Sequence, residues 1–226
     1  MSYLIVCAHP DDEVLGAGAT IYKLAQKGEV VNVCILSGNV MARRFRPNDK
    51  KLKEDTNASM RVLGVKNFIC GEFPNIQLNN VPHLSLVQFI EKAIIDTKAK
   101  VVITHHPSDL NNDHLHTSLA CQAAIRLFQR KKDIVPIKEF LFMEVPSATE
   151  WALNNSINKF NPNVFIEIKR EYLNKKIEAL SNYKGVMRDY PHPRSNEFIE
   201  GLAAIRGGQS GLYYAEAFES VFRREF

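Results

Sequence analysis

The chain has 226 residues, 45% hydrophobic, 24% charged and 9% aromatic, a makeup that suits a globular protein able to bury one substantial core. Lysine and arginine number 29 against 25 aspartates and glutamates, and a +4 excess without a concentrated basic patch excludes reading the charge as a nucleic-acid footprint. No window approaches the roughly 18 consecutive apolar residues of a membrane span, and Tyr3 to Ala8 is too short and lacks the basic start of a signal peptide, so a cytoplasmic location is expected.

Taken in chain order, Tyr3 to Ala8 is a continuous apolar run that suits a strand buried on both faces, and Val14 to Gln26 has helical spacing before Gly28. The alternation repeats: Val30 to Leu36 as strand, Lys50 to Leu63 as a helix closed by Gly64, Asn67 to Cys70 as strand, Leu84 to Thr97 as helix and Val101 to Thr104 as strand. His114 to Gln129 reads as the next helix, Glu139 to Val145 and Val164 to Ile168 as strands, and Glu171 to Tyr183 and Asn196 to Ile205 as late helices. Strands alternating with helices predict an α/β, Rossmann-like fold, a mostly parallel sheet with helices on both faces. The Pro- and Asn-rich stretches Asn75 to Pro82 and Asn154 to Asn163 read as surface loops rather than linkers, so one domain is expected. The apolar, aromatic tail from Leu212 to Phe226 suits packing on the chain's own core or on a second copy, which leaves a homo-oligomer open. Cys7, Cys34, Cys70 and Cys121 are widely spaced, form no C-x-x-C pair and read as buried free thiols.

In such a sheet ligands gather at the carboxyl ends of the strands. The first strand ends in His9-Pro10-Asp11-Asp12-Glu13, where a nucleotide site would need a glycine-rich turn; three carboxylates and an imidazole repel phosphate and attract a cation. Gly16 and Gly18 fall within the helix pattern, where they permit close packing. Asp11, Asp12 and Glu13 could simply serve as helix-capping acids. A second cluster, Asp109-Leu-Asn-Asn-Asp113-His114-Leu-His116, follows the fourth strand and again opens a helix, and capping alone does not account for two such clusters at one sheet edge.

His9-Pro-Asp-Asp-Glu13 with Val14-Leu-Gly-Ala-Gly18 resembles the opening motif of the PIG-L/LmbE-like zinc-dependent N-deacetylases, which act on N-acetylglucosamine-type substrates. Asp113-His114 is similar to that family's second motif, and Tyr214-Ala-Glu-Ala-Phe218 to its C-terminal signature. The resemblance implies His9, Asp12 and His114 as metal ligands, each in a turn from strand end to helix, leaving a fourth position for water. It implies Asp11 as general base, and Asp113 as a group that orients an imidazole. Zinc is the expected cofactor, although His/Asp sites also accept iron, cobalt or manganese.

The second motif departs from the pattern of many relatives, His-Pro-Asp-His, by reading Asn111-Asn112-Asp113-His114. Asn111 can bind substrate and stabilise an oxyanion but cannot donate a proton as a general acid. The missing imidazole is sought in His192 of Tyr190-Pro-His-Pro-Arg194, or else the proton returns through Asp11. His105 and His106 end the fourth strand, and the sequence does not say which faces inward. Arg43, in the loop after the second strand, is the candidate to clasp a phosphate or carboxylate of a substrate, set against a solvent-facing arginine. The expected partner is a small N-acetylated amino sugar. Hydrolysis of another small amide, and an idle metal- or sugar-binding protein, are the competing readings.

Overall fold

A computed structural model describes residues 1–39, 47–153 and 158–225. Strand β1 (Ser2–Cys7) leads into helix α1 (Asp12–Gln26), β2 (Val30–Ile35), α2 (Asp49–Leu63), β3 (Asn67–Cys70), α3 (His83–Thr97) and β4 (Val101–His105). Then follow α4 (Asn112–Ala124), the single turn α5 (Leu127–Arg130), β5 (Glu139–Met143), β6 (Val164–Glu167), α6 (Arg170–Asn182), α7 (Asn196–Ser210) and β7 (Ala215–Arg223). The expected helix from His114 to Gln129 therefore starts earlier and stops at Ala124, with α5 a separate turn.

The strands form one sheet in the order β3-β2-β1-β4-β5-β7-β6. Neighbours from β3 to β5 are parallel, whereas β7 runs antiparallel to both β5 and β6. The α/β, mostly parallel architecture expected from the alternation is thus present. The tail is the exception: it is a strand inserted between β5 and β6.

Side-chain alternation builds the two faces. Ile5 and Cys7 of β1 belong to a core formed with α1, α2 and α6, while Leu4 and Val6 belong to a second core with α3 and α4. The two cores explain why β1 reads as a continuous apolar run. Cys7, Cys34 and Cys121 are buried free thiols, but Cys70 at the end of β3 is exposed. Because β1 sits between β2 and β4, the connections leave it in opposite directions, and this switch point opens a crevice at the carboxyl ends of β1 and β4.

Helix α1 is interrupted at Ala17, whose φ of −143° is not helical. Glu216 of β7 occupies the break: its carboxylate accepts the N–H groups of Ala19 at 3.1 Å and Thr20 at 2.6 Å, and the buried Lys176 ammonium donates to it at 2.7 Å. Amides freed at the interruption thereby gain an anionic acceptor. The glycines flanking Ala17 are needed for proximity. A Cβ on Gly16 would meet Met143 Sδ at 2.5 Å, and one on Gly18 would meet Val14 and Lys176 at about 3 Å. Glu216→Ala should cost about 3–5 kcal/mol, because it strands a buried ammonium and two helix amides together. Urea unfolding measures this loss.

Candidate active site

Cys7 ends β1, and the chain turns through His9, Pro10 and Asp11 before α1 begins at Asp12. Asp11 has φ 99°, a left-handed conformation uncommon outside glycine, and its side chain makes no capping hydrogen bond. The capping explanation therefore fails for Asp11. Glu13 fixes this backbone, its buried carboxyl accepting the Asp11 N–H at 3.1 Å and the Tyr183 hydroxyl at 2.6 Å. Burial pushes the Glu13 pKa up to about 8, so it is mainly protonated at neutral pH.

The second cluster meets the first across the β1/β4 crevice. His9 Nδ1 and His114 Nε2 each lie 3.3 Å from Asp12 Oδ2, all three residues being buried. The second ring nitrogen of each histidine is tied to a carboxylate, His9 Nε2 to Asp113 at 2.9 Å and His114 Nδ1 to Asp109 at 2.8 Å. Asp113 is itself held by the Ile76 N–H at 2.6 Å and the Leu78 N–H at 3.0 Å, and Asp109 by the Thr149 hydroxyl at 2.7 Å. Imidazoles oriented by carboxylates behind them are the usual support of metal-binding histidines.

Ligand atoms of His9, Asp12 and His114 all lie within 4.8 Å of one another, and the three residues line a cleft of about 200 Å³. His105, Asp109 and His114 are similarly close. In that second group the His114 and Asp109 atoms hydrogen-bond to each other, and neither His105 nor Asp109 lines the cleft. The first group therefore fits a divalent cation with room for water. Its electrostatics agree. Burial would lower the His114 pKa, but Asp12 and Asp109 beside it push it up to about 10. Burial would raise Asp12, yet His114 and His9 hold it well below the ordinary carboxylate range. Positive charge is favoured at this point. Asp109→Asn should weaken divalent-metal affinity about 10–100-fold, because an amide cannot serve both His114 and Thr149 as acceptor. Competition against a chromophoric chelator reads this directly.

His105 is the inward histidine. Its ring stacks on His114 at 3.7 Å and its Nε2 accepts the Ala8 N–H at 2.9 Å, while burial drives its pKa well down and keeps it neutral. His106 points away, its ring edge-on to Phe142 and Phe160. Asn111 lines the cleft and caps α4, its side-chain oxygen accepting the Asp113 N–H at 2.9 Å. Arg43 lies outside the described residues.

His192 is not among the residues lining the cleft. Its ring packs edge-on to Trp151 at 5.5 Å and its Nδ1 accepts the Arg194 N–H at 3.0 Å. The loop does return to the site, but it brings Arg194, whose guanidinium reaches Asp11 Oδ2 at 3.3 Å and Ser147 Oγ at 2.7 Å. The stretch from Asn75 to Pro82 is likewise more than a surface loop, because Asn75 and Ile76 form part of the cleft and Leu78 is fully buried. The sequence carried weak signals for these two: Arg194 stands two residues past His192 in the same proline-rich loop, and Asn75 follows Pro74 shortly after a strand end.

A family model described as PIG-L, GlcNAc-PI de-N-acetylase, matches residues 4–125, which span β1 to α4 and both His/Asp clusters. The chain belongs to the PIG-L family. A relative of this chain, the uncharacterized deacetylase YaiS of Escherichia coli K12, is 30% identical over 188 residues, covering 80% of this chain and 89% of YaiS. Among solved structures, the N,N'-diacetylchitobiose deacetylase of Pyrococcus horikoshii superposes with a TM-score of 0.78 at 18% identity, over 97% of this chain and 83% of that one. The hydratase GalB of Pseudomonas putida superposes with a TM-score of 0.74 at 23% identity, over 100% and 98%. A PIG-L-like fold thus also carries a hydratase, so reaction type must be argued from the site. No helix among the described residues is long and apolar enough to cross a membrane.

Proposed function

We propose that this chain is a zinc-dependent N-deacetylase that releases acetate from an N-acetylated amino sugar or sugar conjugate, nucleotide-linked sugars included. One observation carries the reading. The Asp11 carboxylate stands in the cleft beside His9, Asp12 and His114, bent there by a left-handed backbone and unused in capping. The family description and the deacetylase names of YaiS and the chitobiose enzyme support the same reaction class.

Zinc held by His9, Asp12 and His114 would acidify water and polarise the amide carbonyl. Asp11 takes a proton from the attacking water as its oxygen bonds to the acetyl carbon. The Asn111 amide group, with its oxygen engaged by the Asp113 N–H, turns N–H donors toward the developing oxyanion. Asp11 then returns the proton to the leaving nitrogen, the C–N bond breaks, and acetate separates from the free amine. This route needs no second acid. The Arg194 guanidinium donates to the Asp11 carboxylate and serves to hold it in place. Asp113 and Asp109 keep the two imidazoles in register.

The test is incubation of zinc-loaded protein with a panel of N-acetylated sugars and nucleotide sugars, with released acetate measured enzymatically. Acetate and free amine in equal amounts are expected from at least one member. Stoichiometric zinc with no acetate from any member would overturn the proposal in favour of a binding protein.

A further inference from the structure

Of the described residues lining the metal cleft, Ile76 and Ala148 have the apolar side chains; the others are polar or charged. Ala148 is 3% exposed and offers little surface, whereas Ile76 is 45% exposed. Ile76 also has φ 57°, a left-handed conformation that strains any β-branched residue. Three of the non-glycine residues with positive φ, Asp11, Ile76 and Ser147, line this one cleft, each from a different strand-end loop. Backbone strain of this kind persists where the surroundings hold it for a purpose.

What holds Ile76 is the site itself. Its N–H donates to Asp113 Oδ2, the same oxygen that faces His9 Nε2 at 2.9 Å. One carboxylate thereby sets both the orientation of a metal-binding imidazole and the place of the isoleucine. Nothing in folding calls for isoleucine there, because glycine or asparagine accepts the left-handed backbone more easily and an exposed side chain adds little to the core. An acyl group whose carbonyl faces the metal ligands and Asn111 must lodge its alkyl end elsewhere, and the polar walls give it no apolar contact.

We propose that Ile76 selects the acyl group by size: its side chain forms the wall that receives the acetyl methyl and blocks longer chains. The inference rests on the amide-hydrolase reading above. A single methylene accepted or rejected by an apolar pocket changes specificity by roughly 10–200-fold, which sets the scale of the effect.

The experiment compares wild type, Ile76→Gly and Ile76→Asn on one amino sugar carrying acetyl, propionyl or butyryl groups. Wild type should favour acetyl over butyryl in kcat/KM by about 100-fold, and both variants should reduce that preference to below about 10-fold. Zinc content should stay stoichiometric, and Ile76→Asn should raise Tm by about 2–4 °C as strain is relieved. Acetate and butyrate binding to the zinc-loaded proteins, measured by calorimetry, supplies a readout without turnover, and the variants should gain butyrate affinity relative to acetate. Unchanged acetyl/butyryl and acetate/butyrate ratios in both variants would overturn the proposal. If wild type cleaves neither this series nor any member of the sugar panel yet the carboxylate ratio shifts in the variants, the deacetylase reading fails, while Ile76 still stands as a wall that selects bound carboxylates by chain length.

Discussion

His114→Ala is expected to remove bound metal and turnover together, with activity falling on the order of 1,000-fold or more, since a catalytic metal contributes several kcal/mol of transition-state stabilisation. His114 stands at the centre of the charge arrangement: its two ring nitrogens face Asp12 at 3.3 Å and Asp109 at 2.8 Å. Its removal leaves two buried carboxylates without their common imidazole, so stability should also fall, by about 3–5 kcal/mol. Metal analysis of the purified variant by mass spectrometry, alongside circular dichroism, separates loss of the site from loss of the fold. A folded His114→Ala protein that still carries stoichiometric metal would show that the ligand assignment is wrong.

Asp11→Asn should behave in the opposite way toward metal. Zinc content is expected to match wild type, while kcat drops about 100- to 10,000-fold with little change in KM, the signature of a lost proton-transfer group. Asparagine is the discriminating substitution because it tolerates the left-handed backbone at φ 99° and keeps an oxygen for Arg194. The variant therefore alters proton affinity at one position and leaves the turn intact. A kcat within about tenfold of wild type, below the usual contribution of a general base, would remove Asp11 from that role.

Much of the site was legible because its parts are local in sequence. His9, Asp11 and Asp12 share one strand-end turn and Asp113 and His114 share another, so a parallel sheet with β1 beside β4 is enough to bring them together. Asp109 lay within the second cluster, but its link to His114 emerged only with the turn between them. The tail was harder to read as a strand. Glu216 puts a buried charge into β7, and pairing with β5 shifts register between Phe140 and Leu141, so the simple alternation that marks a strand is broken. Glu216 makes sense only once the interruption of α1 is seen, some 200 residues earlier in the chain.

By itself the sequence determined the α/β class, through apolar runs alternating with helical periodicity, and it pointed to the candidate site, through two short acidic and imidazole clusters at helix starts that resemble the family's motifs. Both follow from interactions among residues close in the chain. The tertiary structure alone decided that Arg194 rather than His192 returns to the cleft, that His105 faces inward, and that Ile76 lines the same cleft as His9, Asp12 and His114 in a left-handed backbone. Those placements depend on which way loops turn and on hydrogen bonds between distant segments, Ile76 to Asp113 and Arg194 to Asp11, for which local composition and periodicity carry no signal.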